Sequence, residues 1–175
     1  MGSCSLGRRA VRCVGVAAIV SVAGCTVFEG PDLRPGQSVA EIQAQLGAFT
    51  GRYELVGGRT RQEFARGPFG RQTWMVDIDA SGRVIVGRQV LTDTNLMAVQ
   101  GLLPGMTIEE LLRTLGRPGQ RRGGGWQGGE VWSWRYATND CLWFQVSIGD
   151  DRIVRDGAFG PDPLCDRDVR TGLPG

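Results

Sequence analysis

The chain contains neither histidine nor lysine, and each absence limits the reactions and ligands that its side chains can support. All 20 basic residues are arginine, a bias more typical of a GC-rich genome than of a phosphate-binding role. Without histidine, the usual pairing of a nucleophile with an imidazole base is missing. Asp77 and Asp79 share a face of a predicted strand, but this spacing is more typical of a solvated strand surface. We therefore expect no enzymatic activity, no metal site and no cofactor.

The chain also lacks an apolar run long enough to span a bilayer. The uncharged run at residues 13–24 follows Arg8, Arg9 and Arg12 and stops before Glu29. A spanning helix needs about 20 predominantly apolar residues. A basic segment followed by a shorter apolar run is the pattern of a secretory signal peptide, here residues 1–24.

The end of this apolar run resembles the lipobox of bacterial lipoproteins. Val22-Ala23-Gly24-Cys25 has a branched apolar residue and two small residues before cysteine. The resemblance implies that Cys25 becomes the acylated N-terminus of the mature protein and carries several fatty acyl chains such as palmitate, enough to hold it on a membrane. The residue after Cys25 is Thr26. In such lipoproteins, aspartate at this position signals retention at the inner membrane, so the resemblance implies the outer membrane for this chain. The alternative is that Cys25 is an ordinary buried cysteine after a plain signal sequence.

The mature chain has few cysteines and little net charge. Its 17 arginines and 18 acidic residues give a net charge of −1, with no clustered basic patch of the kind that binds nucleic acid. If Cys25 is acylated, only Cys141 and Cys165 remain. An even pair in an oxidising compartment favours a disulfide. A metal or redox pair is the competing interpretation, but it lacks histidine and a Cys-x-x-Cys spacing.

An internal repeat appears when the sequence is shifted against itself by 69 positions without gaps. The shift aligns Gly36 with Gly105, Ser38 with Thr107, Glu41 with Glu110, Gly47 with Gly116, Arg66 with Arg135, and Trp74 with Trp143. The same 69-residue offset holds through both the helix and the strand signals, which indicates two tandem copies of one unit. We assign residues 25–32 to a tether, 33–91 to a degenerate first unit, 92–165 to a second unit, and 166–175 to a tail.

Local signals predict an α+β fold for each unit, with two helices followed by three antiparallel strands. Ser38 with Glu41, and Thr107 with Glu110, form capping boxes at helix starts. Gly47 and Gly116 stand where helices end. We expect the two units to superpose, with Trp74 and Trp143 in equivalent places. We also expect their sheets to join into one antiparallel sheet with helices on one face.

The second unit resembles the BamE (SmpA/OmlA) family of small outer-membrane lipoproteins. The resemblance rests on Pro104-Gly105-Met106-Thr107, on Leu115-Gly116-Arg117-Pro118, and on a later Trp132-x-Trp134-x-Tyr136 strand. It implies structural roles for Gly105 in a turn, for Thr107 in capping and for Pro118 in stopping the helix. It also implies an envelope role beside the β-barrel assembly machinery. Two tandem units look more like the β-lactamase inhibitory protein architecture, in which a concave sheet faces a partner.

Aromatic and arginine side chains crowd into the second unit. An exposed surface of such residues would suit a protein partner, because tryptophan, tyrosine and arginine dominate interface hot spots. A core position for most rings, or stacking against a glycan, are the alternatives. The candidate partner-binding residues are Trp126, Trp132, Trp134, Tyr136, Arg121 and Arg135.

These observations favour a non-enzymatic interaction module in outer-membrane protein assembly or envelope maintenance. The protein would be anchored by lipid and face the periplasm. The alternative is an inhibitor-like or peptidoglycan-contacting lipoprotein that uses the open sheet face. An open aromatic face would favour partner binding, whereas a deep pocket with converging carboxylates would favour catalysis.

Lipidation is tested by replacing Cys25 with alanine. The variant is expected to carry no acyl chain and to leave the outer-membrane fraction, since the thiol that accepts the lipid is gone. Mass spectrometry of the wild-type N-terminus gives the direct measurement. An unmodified Cys25, or a mature chain that still carries residues 1–24, would contradict the assignment.

Overall fold

The computed structural model describes residues 30–124 and 128–165, and those from Pro31 onward belong to one compact unit. The predicted signal peptide, Cys25, Trp126 and the predicted tail lie outside the described residues. None of the helices in the described part of the chain is both long and apolar enough to cross a membrane.

The fold is mostly β, so the predicted α+β arrangement of helix, helix and three strands is wrong. Each unit forms its own four-stranded antiparallel meander, and the two sheets are separate. The predicted single continuous sheet is therefore also wrong. The strands are β1 Gly51–Glu54, β2 Thr60–Arg66, β3 Gln72–Ile78 and β4 Val84–Gln89 in the first repeat, and β5 Gln120–Gly123, β6 Glu130–Arg135, β7 Leu142–Ile148 and β8 Val154–Pro161 in the second.

Three short helices complete the described fold: α1 Val39–Leu46, α2 Asp93–Gln100 and α3 Ile108–Leu115. Both predicted capping boxes are present, at Ser38 for α1 and at Thr107 for α3. Each hydroxyl accepts a hydrogen bond from the backbone of the third helical residue, which satisfies one of the orphan N–H groups of the first turn. Gly47 and Gly116 end these helices with positive φ, a conformation that glycine adopts without strain.

The element order repeats, but its spacing changes by one residue partway through. Helix α3 follows α1, and β5 follows β1, by 69 residues, whereas β6, β7 and β8 follow their counterparts by 70. The extra residue falls in the glycine-rich connection between β5 and β6. An ungapped shift therefore aligns the helices correctly and places the later strands out of register by one.

This slip makes the predicted equivalence of Trp74 and Trp143 wrong. Trp74 pairs with Phe64 on β2, and the residue in its place in the second sheet is Phe144, which pairs with Trp134. Successive side chains on a strand point to opposite faces, so one residue of slip moves Trp143 to the opposite face from Phe144.

Two hydrophobic cores lie on the helix sides of the sheets. In the first repeat, α1 packs Ile42 and Leu46 against Phe64, Val76 and the neighbouring strand residues. In the second repeat, α2 and α3 cover the aromatic strand β6 and the centre of β7. This second core contains Leu96, Leu103, Leu111, Leu115, Trp132, Trp134, Tyr136, Phe144, Val146 and Ile148.

The other face of the first sheet is covered by the end of α3. Met75, which points away from α1, belongs to the second core. Arg61 donates a hydrogen bond to the Arg113 carbonyl at 2.8 Å and forms an ion pair with Asp77 at 2.6 Å. The expectation of an open binding face is therefore wrong for the first sheet.

A buried carboxylate holds this contact together. Glu63 on β2 is fully buried and accepts hydrogen bonds from Tyr53 Oη at 2.5 Å and Thr50 Oγ1 at 3.2 Å. It also accepts one from the Arg117 N–H, just beyond α3, at 3.2 Å. Burial, followed by the hydrogen bond to Glu63, raises the pKa of Tyr53. The second repeat is thus hydrogen-bonded to the first through a side chain that would be costly to leave unpaired.

The closeness of this contact is tested by Gly116→Ala, with Gly105→Ala as the matched control. Both glycines have positive φ, but a Cβ at Gly105 meets nothing within 4 Å. At Gly116 it would lie 2.9 Å from Thr73 Cγ2 and 3.0 Å from Glu63 Cδ. We expect Gly105→Ala to lower the free energy of unfolding by about 1 kcal/mol and Gly116→Ala by about 3 kcal/mol. Equal losses in urea denaturation would contradict the packing described here.

Candidate functional site: the cleft between the hairpin tips

The loops at equivalent hairpin tips of the two repeats meet across one cleft of about 670 Å³. Residues 67–71 join β2 to β3, and residues 136–141 join β6 to β7. The third contribution is Asp93, the first residue of α2. The lining residues are Gly67, Pro68, Arg71, Gln72, Asp93, Ala137, Thr138, Asn139 and Asp140.

The loop of the first repeat has an unusual backbone. Gly67, Phe69 and Gly70 all have positive φ, and φ of Phe69 is 59°. Only glycine adopts this region freely, so Phe69 is held there by its surroundings. Its half-exposed ring lies 4.5 Å from the Arg135 guanidinium carbon of the second repeat. This cation–π contact ties the first wall of the cleft to the second sheet.

The loop of the second repeat is fixed by the predicted disulfide. Cys141 and Cys165 are bonded, with Cα atoms 6.0 Å apart. The Asp162 N–H also donates to the Cys141 carbonyl at 2.8 Å. The turn after β8 is therefore held against the β6–β7 hairpin, and the second wall of the cleft has a covalent anchor.

A buried ion pair lies behind both walls. Arg135 on β6 and Asp162 form a two-pronged contact, with Nε–Oδ2 at 2.6 Å and Nη2–Oδ1 at 2.9 Å. The guanidinium also lies 4.9 Å from the centre of the Trp143 ring. Burial opposes the charge of Asp162, but the hydrogen bonds from Arg135 and the Leu164 N–H outweigh it and lower the pKa of Asp162. The pair thus joins two β-strand ends and the C-terminal turn beside the cleft.

A buried tyrosine hydroxyl lies close to two residues that line the cleft. Tyr136 belongs to the second core and is 1% exposed, and its hydroxyl has no hydrogen-bond partner. Burial, together with the nearby Asp93 carboxylate, raises the pKa of Tyr136 to about 12. Asp93 and Thr138, which both act on this hydroxyl, line the cleft. An unsatisfied buried O–H costs about 1–3 kcal/mol, and Asp93 and Thr138 are acceptors close to it.

The lining offers both donors and acceptors over a short distance. The Arg71 guanidinium and the Asn139 amide can donate, whereas the Asp93 and Asp140 carboxylates accept. The cleft is also open, and its lining is somewhat more polar than apolar. Such a site suits a polar group with several hydrogen-bonding atoms, such as a polar peptide segment or a sugar.

The predicted partner-binding residues do not form an exposed aromatic surface. Trp132, Trp134 and Tyr136 are at most 2% exposed, because the alternating face they share lies under α2 and α3. Arg135 is 4% exposed in its ion pair. Among the described members of this group, only Arg121 is exposed, with its guanidinium carbon 3.8 Å from the Trp132 ring centre. The expectation of an exposed aromatic face is therefore wrong for the described residues.

Sequence reasoning missed the residues that line the cleft. Arg71, Thr138, Asn139 and Asp140 lie in loops, Asp93 begins α2, and none of them belongs to a known motif. The one available signal was their position, since both hairpin loops occupy the same place in the repeat. Among the residues that the structure describes, no group of three or more acidic, cysteine or histidine side chains is arranged to hold a metal ion.

The buried ion pair is tested by Asp162→Ala, with the exposed Asp156→Ala as control. Losing Asp162 leaves the Arg135 charge buried without its partner, so we expect a loss of about 3 kcal/mol in the free energy of unfolding. Asp156→Ala should change it by less than about 0.5 kcal/mol. Since the folded-state pKa of Asp162 is depressed, its contribution is present above pH of about 4 and is lost as the pH falls through the folded pKa. Urea titrations in which Asp162→Ala retains the full acid sensitivity of the wild type would contradict this assignment.

Comparison with known proteins adds no relative to this picture. No family model, no curated protein and no solved structure matches the chain. The motifs of the sequence and the geometry of the cleft are therefore the evidence that bears on function.

Proposed function

We propose that this protein is a lipid-anchored, periplasm-facing protein of the outer membrane that binds an envelope partner without catalysing a reaction. The lipobox ending at Cys25 supports the location. The Gly105-Met106-Thr107 turn and the Leu115-Gly116-Arg117-Pro118 helix end, which resemble BamE motifs, support a role in outer-membrane protein assembly or envelope maintenance. The cleft between the hairpin tips is the binding site in this proposal.

The observation that carries the proposal is the convergence of two equivalent hairpin tips and Asp93 on one cleft. The second wall is held by the Cys141–Cys165 disulfide and the Arg135–Asp162 pair, and Phe69 of the first wall contacts Arg135. A site whose walls are fixed before binding loses less entropy when a ligand enters. These contacts therefore hold the cleft in the conformation that binds its ligand. The proposed occupant is a polar segment of a partner protein.

A glycan of the cell wall is the second candidate. Sugar hydroxyls both donate and accept, and carboxylates, amides and guanidinium groups of the kind at Asp93, Asn139 and Arg71 match that chemistry. Peptidoglycan would present both sugars and short peptides to the cleft. A crosslinking experiment distinguishes this candidate from a protein.

The proposal is tested by placing a photo-crosslinking amino acid at Asn139 in the lipidated protein, in intact cells. The matched control carries it at Ala44, which is exposed on α1 away from the cleft. We expect a discrete protein adduct from the Asn139 position and none from Ala44. Peptide sequencing of the adduct identifies the partner, and a muropeptide adduct would favour the glycan instead.

A cleft-filling substitution gives the second control. Thr138→Trp should reduce the Asn139 adduct about tenfold or more by occupying the cleft, while the melting temperature stays near the wild-type value. Absence of an adduct at Asn139, or equal adducts at Asn139 and Ala44, would contradict binding at this site.

A further inference from the structure

We propose that the outer edge of β4 binds an extended segment of a partner protein, with aliphatic residues beside acidic ones, as an added β-strand. This surface is separate from the cleft, so the inference goes beyond the proposed function and does not depend on it. It follows from a comparison of two strands that occupy the same place in the two repeats.

Strands β4 and β8 are the last strands of their sheets, and each pairs with one neighbour only. The 70-residue spacing places Arg155 where Ile85 stands, Asp156 where Val86 stands, and Gly157 where Gly87 stands. Both strands begin with the same pairing, because Val84 and Val154 each exchange hydrogen bonds with the turn that precedes a helix. The edges differ only beyond this point.

The edge of β8 is protected in two ways. The Gln100 side chain, at the end of α2, donates to the Gly157 carbonyl at 2.8 Å. Arg155 forms an exposed ion pair with Asp151 at 2.6 Å, and Asp156 follows it. Charged residues and a covering element are the usual means by which proteins prevent an edge strand from pairing with another chain.

In the described structure, β4 lacks the side-chain cap, and uncharged residues stand where β8 has Arg155 and Asp156. Ile85 and Val86 are 36% and 43% exposed. Leu33 packs over Gly87 much as Leu103 packs over Gly157, so the two backbones are placed alike. No side chain within the described residues donates to the Gly87 carbonyl, the counterpart of the carbonyl that Gln100 caps. Within the described residues, this carbonyl is therefore capped in β8 and has no such cap in β4.

An exposed strand edge determines the shape of its partner. Its free N–H and C=O groups recur every second residue, and only another extended backbone matches that spacing. Ile85 and Val86 favour aliphatic side chains across from them. The charged residue of β4, Arg88, is basic and exposed, which favours an acidic residue in the added strand.

The charges also argue against a second copy of this chain. Pairing of two β4 edges would bring the Arg88 side chains of both copies near one another, and β4 has no acidic residue to offset them. Like charges facing one another across strands are destabilising. An acidic, aliphatic segment of another protein meets no such penalty.

The proposal is tested with the full mature protein and a fluorescein-labelled peptide, Glu-Val-Thr-Val-Thr-Val-Glu, by fluorescence anisotropy. The decisive variant is Ile85→Arg/Val86→Asp, which gives β4 the same two residue types that β8 has at Arg155 and Asp156. Its melting temperature is measured first, because Val86 lies opposite Asp77 on β3 and a new carboxylate there would face it. Ile85→Arg alone, at a position with no directly opposite residue on β3, serves as the test variant if the double variant is destabilised. The matched control is Arg155→Ile/Asp156→Val on β8, where Gln100 still covers Gly157.

We expect the wild type and the β8 control to bind the peptide equally, and the β4 variant to bind about tenfold more weakly or worse. A peptide with N-methylated backbone amides on its pairing edge should lose binding as well. Equal binding by the β4 variant, or by the N-methylated peptide, would overturn strand addition. A dimer in light scattering that the β4 variant dissociates would assign the edge to a second copy. Flotation of wild type, but not the β4 variant, with phosphatidylglycerol vesicles would assign it to the membrane; either result overturns the proposal.

Discussion

The carboxylate of Glu63 is the contact on which the arrangement of the two repeats depends. It is fully buried, and it accepts hydrogen bonds from its own sheet and from the backbone just beyond α3 of the other repeat. A buried carboxylate without partners would cost several kcal/mol, so separating the repeats is unfavourable. Two glycines leave room for it: a Cβ at Gly51 would lie 2.7 Å from Glu63 Oε2, and one at Gly116 would lie 3.0 Å from Glu63 Cδ.

Fixing the repeats against each other is what brings the hairpin tips together. Neither loop forms a cleft alone, because each supplies one wall. Phe69 contacts Arg135, and Arg135 pairs with Asp162. These two contacts link the interface between the repeats to the walls of the cleft. The two copies share a backbone plan but differ at their loop tips and edge strands, and the two proposed binding surfaces lie at these differences.

The sequence predicted those features that depend on local signals. Ser38 and Thr107 cap their helices as expected, and Cys141 and Cys165 form the expected disulfide. The predictions from sequence failed for features that depend on contacts between distant parts of the chain. The first strand of each sheet was missed, because a strand such as β5, with sequence Gln-Arg-Arg-Gly, is exposed throughout and has no apolar alternation. The slip between β5 and β6 is invisible to an ungapped comparison, yet it decides which face Trp143 occupies.

The candidate site was less predictable than the fold. Its lining residues are brought together by contact between repeats, which no local pattern records. The aromatic residues that suggested a binding surface proved to be core, since Trp132 and Trp134 are covered by two helices and not left on an open face. Aromatic content alone does not separate a binding surface from a core when the covering element comes from elsewhere in the chain.

Native-state hydrogen exchange tests most directly the claim that the two repeats form one body. The amides of Val76 on β3 and Val146 on β7 both lie in central strands of their sheets. If the Glu63 contact joins the repeats, both amides should exchange only through global unfolding, with the same free energy of opening. An opening free energy for Val76 lower than that for Val146 by more than about 1.4 kcal/mol, a tenfold difference in equilibrium constant, would show that the first repeat unfolds alone and would contradict the account.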